Sequence, residues 1–303
     1  RNVVLFEAIK HGMDYLIFLD DDEYPMAVTN SEKNLTWTGQ DLLSTHLKHI
    51  DKADITHGKH CGYISPIPYL EFDDTMTEKH FRTFVEALSN ELVTWDSLKV
   101  IMKNGGVTYA DVNVLNSEPV AEVQDTHHAK FISGANLCTN LKDAQRVFPF
   151  YNPPGARGED TFLSSWLSDR TVLRMPCYAF HDGFATYDCL LDGVLPKHLK
   201  FIRADSEEIT SRFYRACIGW IRYKPLLLYI TGKDTYREKI QEMKKNLQEV
   251  LPNVCAFFNE PNFNNVLIEL DEYDKNVESH YQTYLETEVV WSIVMEHYAK
   301  NKL

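Results

Sequence analysis

Asp20, Asp21 and Asp22 are followed at once by Glu23, so four carboxylates stand in four consecutive residues. Like charges this close oppose one another's ionisation unless a cation or hydrogen-bond donors compensate them. An oxygen-only donor set of this kind suits Mg²⁺ or Mn²⁺. The plainer use of such a run is an acidic turn or a helix N-cap, since aspartate favours both. What favours a ligand site is the run Tyr15-Leu16-Ile17-Phe18-Leu19 just before it. That run reads as a buried parallel strand, and ligands of open α/β sheets bind beyond the carboxyl ends of such strands.

Two further groups have the same character. Gly155-Ala156-Arg157-Gly158-Glu159-Asp160 is a glycine-flanked acidic pair set before the apolar helix residues Phe162, Leu163, Trp166 and Leu167. A carboxylate there can act as a general base on a hydroxyl, or simply complement the dipole of the helix it opens. His181-Asp182-Gly183-Phe184 follows strand-like residues 172–178, again where a strand would end. Its imidazole can join the aspartates as a metal ligand, or serve as a hydrogen-bonded structural residue.

The elements that must hold these groups follow from periodicity. Val4, Leu5, Ala8 and Ile9 recur at helical spacing, with Gly12 suited to the residue after the helix. Leu42, Leu43, Leu47 and Ile50 predict a second helix, with strand material near Ile55 and over 62–65. Phe81, Phe84, Val85, Leu88 and Leu92 form another helical stripe, while 113–119 reads as turn and loop. Residues 129–133 read as a strand running into Gly134-Ala135-Asn136, and a helix is expected to begin near Gly158 or Glu159. Alternation of this kind implies an α/β class. After Leu199 strand signals fade, and capping boxes stand at Asp205 with Glu208 and at Thr235 with Glu238. Ile209, Phe213, Cys217 and Trp220 line one helical face, and Tyr236, Ile240, Met243 and Leu247 another. The expected division is therefore a catalytic α/β part over 1–199 and a mostly helical part over 200–303.

Composition narrows the partners. With 44 acidic against 31 basic residues the net charge is −13, which argues against a broad nucleic-acid footprint. The six cysteines are scattered and form no CxxC pair, so reduced thiols and a cytoplasmic setting are expected rather than zinc or a disulfide framework. There is no apolar run of membrane-spanning length and no signal-peptide pattern, and association with a membrane would need a partner.

A strand-end Asp-x-Asp, a later glycine-flanked Glu-Asp and a still later His resemble the GT-A glycosyltransferases, in particular their family-2-like members. GMDYLIFLDDDEYP and GARGEDTFL carry the resemblance. It implies a Rossmann-like, mixed but mostly parallel sheet flanked by helices. It also implies that Asp20 and Asp22 bind the metal and the donor diphosphate, that Asp21 supports them, and that His181 is a third ligand. Asp160 matches the catalytic base of inverting members and Glu159 its acceptor-contacting neighbour. The segment 131–137 is similar to the stretch bordering the donor sugar, which marks Gly134 and Asn136, and Arg1 resembles an arginine close to the nucleotide. The implied cofactor is Mn²⁺ or Mg²⁺; the implied partners are a UDP- or GDP-sugar donor and a glycan or small-molecule acceptor, in a glycan- or polysaccharide-building role.

The pattern departs from the family upstream, where several strands usually precede the Asp-x-Asp and only 19 residues do here. An N-terminal part of the GT-A domain is expected to be missing. Two other readings stay open. A haloacid-dehalogenase-like phosphohydrolase also places Asp-x-Asp after a strand, but expects Thr or Val where Tyr24 stands. A non-catalytic nucleotide-sugar-binding module would fit the short N-terminal side.

Overall fold

The computed structural model describes residues 1–31, 34–89, 94–117 and 119–301. Leu92, expected on the stripe with Phe81, lies outside them. The strands are β1 (Tyr15–Phe18), β2 (Glu23–Tyr24), β3 (Met26–Ser31), β4 (Asn34–Gly39), β5 (Ile55–Gly62), β6 (Ala121–Glu122), β7 (Leu137–Asn140) and β8 (Val172–His181). The α-helices are α1 (Asn2–Lys10), α2 (Leu42–Leu47), α3 (Glu78–Leu88), α4 (Trp95–Lys103), α5 (Val112–Ser117), α6 (Glu159–Ser164), α7 (Glu207–Thr231), α8 (Tyr236–Phe258), α9 (Asn265–Lys275) and α10 (Val277–Asn301).

The result is an α/β fold with a mixed, mostly antiparallel sheet flanked by helices and a helical C-terminal region. Strand order is β1-β7-β5-β8-β2, with β6 also on β8 and β3-β4 a separate hairpin. Among these strands only β5 and β8 pair in parallel, whereas β1·β7, β7·β5, β8·β2 and β8·β6 are antiparallel. The expected mostly parallel sheet is thus corrected by one insertion. β7 runs backwards between β1 and β5, although those two and β8 all point the same way. A four-residue strand carries no signal of its direction, so local pattern could not show the reversal.

Three local expectations are also corrected. Residues 15–18 form an edge strand of the described sheet, half-buried rather than enclosed, because alternate side chains leave by opposite faces; Leu19 is 49% exposed. Residues 129–132 are buried but, beyond a single bridge from Ala129 to Thr126, make no ladder. Instead Lys130 N–H donates to Ser164 O and Ile132 N–H to Ser164 Oγ, so the end of α6 supplies the partners a strand would. Part of the expected loop 113–119 is α5.

The helix expected near Gly158 or Glu159 begins at Glu159. The cap of α7 is Ser206, whose Oγ accepts from Ile209 N–H, one residue beyond the expected Asp205. At α8 the N-cap is Thr235, whose side chain makes no capping bond.

The largest apolar core joins Phe81 and Phe84 of α3 and Trp95 and Leu98 of α4 to Phe213, Ile240 and Leu270 of the C-terminal helices. A second core lies against β1 and β7, where Leu5 and Ile9 of α1 meet Leu163 and, from α10, Trp291 and Met295. Trp291 Nε1 donates to Val147 O at 2.8 Å, which ties α10 back to the α/β part. Burial of such side chains contributes about 1.5–3 kcal/mol each, so α10 braces the core against β1 and β7 through Trp291 and Met295. Among the described residues no helix is long and apolar enough to cross a membrane.

Candidate functional site

Because β1, β5 and β8 share a direction, their carboxyl ends emerge at one edge of the sheet. The register places Phe18 opposite Leu137 and Gly62 opposite His181. The turn after β1, the segment before β7 and the end of β8 therefore meet there. Asp20 O accepts from Glu23 N–H at 3.2 Å, closing a turn with Asp21 and Asp22 at its tip. The following β2 pairs with the end of β8, Glu23 opposite His181.

Asp22 and His181 are side by side, with Oδ2 3.2 Å from Nε2, and Asp22 O accepts from Asp182 N–H at 2.9 Å. The Glu23 side chain is almost fully buried, and its Oε1 lies 2.7 Å from His60 Nε2 but outside hydrogen-bond alignment. Asp21 is exposed. Asp20 is half-exposed, and partial burial raises its pKa, Arg1 opposing this while Glu23 and Asp22 add to it.

Arg1 is the hub of the site. Its Nη1 donates to Gly134 O at 2.5 Å, its Nη2 reaches Asp20 Oδ1 at 3.2 Å, and its Nε lies 3.5 Å from Glu159 Oε1. The guanidinium also sits over the rings of Phe18 and Phe150, 5.7 and 5.4 Å from their centroids. Gly134 permits this approach, since a Cβ there would stand 2.4 Å from Arg1 Nη1.

Asp160 is held from the same place. Its Oδ2 accepts from Gly134 N–H at 3.2 Å and its Oδ1 from Thr161 N–H at 2.8 Å. Burial raises the Asp160 pKa, Glu159 reinforces that, and the two N–H donors and Arg1 resist it. A carboxylate poised upward in this way is a better proton acceptor than an ordinary aspartate. The lead-in loop is clamped from α7 and α9: Arg222 Nη1 donates to Gly155 O at 2.9 Å while pairing with Glu269, and Tyr273 OH donates to Pro154 O. Gly158 takes φ 114°, with Tyr223 packed against it.

Glu159 and Asp160 line one wall of a cleft of about 950 Å³. Other walls come from Ile64 and Pro66 after β5, from one side of α4, and from Trp220 and Tyr223 of α7. Aromatic faces beside carboxylates suit a polyhydroxylated ligand, which offers apolar C–H faces and many hydroxyls.

The structure therefore brings together Arg1, Asp20, Asp22, Gly134, Glu159, Asp160 and His181. It does not bring Asn136 to the surface. That residue is fully buried, with its Oδ1 3.0 Å from His46 Nε2 and its Nδ2 donating to Lys59 O at 3.1 Å, so no face remains for a sugar. Sequence reasoning missed the contribution of α7: Trp220 enters the cleft wall, and Arg212 comes near Asp22. An arginine face at 212 and 215, beside the apolar stripe of Phe213 and Cys217, is the signal that was there to find.

Two carboxylates and an imidazole are the right donor types for Mn²⁺ or Mg²⁺. Asp22 and His181 already adjoin, while Asp20 is engaged by Arg1. Among the described residues no three His, Cys, Asp or Glu side chains converge closely enough to hold an ion. No protein-family model, curated protein or solved structure matches the chain.

Proposed function

We propose that this protein is a glycosyltransferase that moves a sugar from a UDP- or GDP-sugar onto an acceptor hydroxyl. One observation carries the reading: Arg1 touches both the Asp20 turn and Glu159, so the acidic strand end and the acidic helix start are within one guanidinium of each other. The donor diphosphate lies at the edge formed by Asp20, Asp22 and His181, which would hold Mn²⁺ or Mg²⁺. When bound, that ion supplies charge neutralisation for the leaving diphosphate. The acceptor occupies the cleft, and Asp160 takes the proton from its hydroxyl as that oxygen attacks the anomeric carbon, which gives inversion. Glu159 orients the acceptor. Arg1, Gly134 and Thr161 hold the base in place, and the cleft walls displace water from the reacting oxygen.

The test is calorimetric titration of UDP and GDP, with and without Mn²⁺, into the protein and its Asp22→Ala variant. Mn²⁺-dependent binding that is lost in the variant is expected. Equal binding by both proteins, or binding indifferent to Mn²⁺, sinks the metal-site assignment.

A further inference from the structure

Helix α7 carries Arg212 and Arg215 toward the His181 edge, Arg157 joins them from the loop before α6, and among the described residues none of the three makes an ion pair with a carboxylate. Arg212 is half-buried, its guanidinium carbon 4.5 Å from the centroid of the Phe184 ring. Its Nη2 lies 3.1 Å from the point where a Cβ on Gly183 would stand, and His181 Cε1 lies 2.7 Å from that point. Arg212 and the imidazole therefore converge over one glycine. Arg215 and Gly219 follow at i+3 and i+7, on the same face of the helix. Arg157, from the loop before α6, runs its side chain across Gly219, with Cδ 3.5 Å from where a Cβ would be. Arg157 also lines the cleft that holds Asp160.

Most other arginines are paired, Arg146 with Asp54, Arg203 with Glu71, Arg222 with Glu269 and Arg237 with Asp274, while among the described residues the exposed Arg174 on β8 is not. Among the described residues Arg212, Arg215 and Arg157 form no such pair, in a chain whose net charge is −13. What sets these three apart from an isolated unpaired arginine is that they stand together on one side of α7, with Arg215 and Arg157 both within electrostatic reach of Arg212. The charges that Arg212 senses most are Asp22, Arg215 and Arg157, with burial holding its pKa below the ordinary value; it remains a cation. Mutual repulsion of three cations is relieved by an anion between them, and the planar guanidinium fork matches phosphate oxygens in pairs.

We propose that Arg212, Arg215 and Arg157 form an anion site for a phosphate or diphosphate group, set between the His181 edge and the Asp160 cleft. Which ligand carries that group rests on the glycosyltransferase reading; the site itself does not. In that reading the site adds direct cationic contacts to the leaving diphosphate, or holds a phosphorylated acceptor.

The experiment is calorimetry with inorganic pyrophosphate in EDTA, on the wild type and on Arg212→Gln, Arg215→Gln and Asp22→Ala, with thermal melts to confirm folding. Wild type is expected to bind, more weakly at high salt. Arg212→Gln should lose about ten-fold or more, as expected for a charge-assisted hydrogen bond to phosphate. Arg215→Gln, an exposed change, should lose less. Asp22→Ala should bind as well as wild type or better, because a competing carboxylate is gone. No binding by wild type, or wild-type binding by both arginine variants, overturns the proposal. Pyrophosphate binding that survives in Asp22→Ala while Mn²⁺-dependent nucleotide binding is absent from every protein leaves the anion site standing and removes the glycosyltransferase reading. Displacement of pyrophosphate by UDP or GDP assigns the site to the donor; binding of a hexose phosphate alongside saturating nucleotide assigns it to the acceptor. Either pattern supports the site.

Discussion

Gly134 N–H donates to Asp160 Oδ2 at 3.2 Å, while Gly134 O accepts from Arg1. One peptide segment before β7 thus holds both the carboxylate of the Glu-Asp pair and the cation that reaches the Asp20 turn. Since Phe18 and Leu137 are partners in the sheet, this arrangement is set by ladder register as well as by side chains.

Gly134→Ala should displace the Arg1 guanidinium, whose Nη1 lies 2.4 Å from the added Cβ, so the cost is the lost bond to Gly134 O rather than a rigid clash. The expected loss is about 0.5–1.5 kcal/mol, the net worth of an ordinary hydrogen bond, because the bond is only part-buried. In an Arg1→Ala background the same change should cost much less. Urea unfolding of the four proteins in this cycle measures the coupling, and additivity would show that Arg1 does not bind Gly134 in solution.

Asp160→Asn should reduce sugar transfer by about 10²-fold or more, the usual contribution of a positioned base, with little change in nucleotide affinity. Transfer should fall as pH drops through the Asp160 pKa, which lies above the ordinary aspartate value. Glu159→Gln removes a like charge, so the acid limb should move to lower pH. A profile of kcat/KM against pH for both proteins checks the sign; an unmoved limb would assign it to another group.

His57 is buried, neither ring nitrogen has a hydrogen-bond partner among the described residues, and burial pushes its pKa down from 6.5 to about 3. The folded state therefore binds this proton less readily than the unfolded chain. The stability it contributes is fully present above pH 6.5 and is lost as pH falls toward 3, at up to about 1.4 kcal/mol per pH unit. His46, also lowered by burial, acts in the same direction. Urea midpoints between pH 7 and 5 should fall in wild type and fall less steeply in His57→Leu. Because that substitution removes two unsatisfied polar atoms, it should not destabilise the protein at neutral pH.

Asn136→Ala should act as a core mutation. It strips a partner from His46 and from the Lys59 carbonyl, so a loss of about 2–4 kcal/mol is expected, with donor affinity unchanged where the protein is folded. A selective loss of nucleotide-sugar binding at unchanged melting temperature would return Asn136 to the ligand.

What the amino-acid sequence determined by itself is local. The apolar run at 15–19 and the aspartates behind it mark a strand end because burial period and charge are written in neighbouring residues. The start of α6 at Glu159 is legible from Gly158 and the acids of its first turn, and the helical character beyond Leu199 from repeated 3.6-residue stripes. A strand over 172–178 was legible for the same reason, although it runs on to His181.

Only the tertiary structure decided the rest. The reversed β7 is a choice between pairings of equal local appearance, settled by long-range packing. The burial of Asn136 depends on His46, 90 residues away, and the site's hub joins Arg1 to Gly134, 133 residues away. Arg212 belongs to a helix whose sequence carries an ordinary amphipathic pattern, and its place beside His181 follows from how α7 packs across the cleft. Contacts between residues so far apart leave no period or motif in the chain, because they are made by the sheet's register and the helices' docking rather than by any one segment.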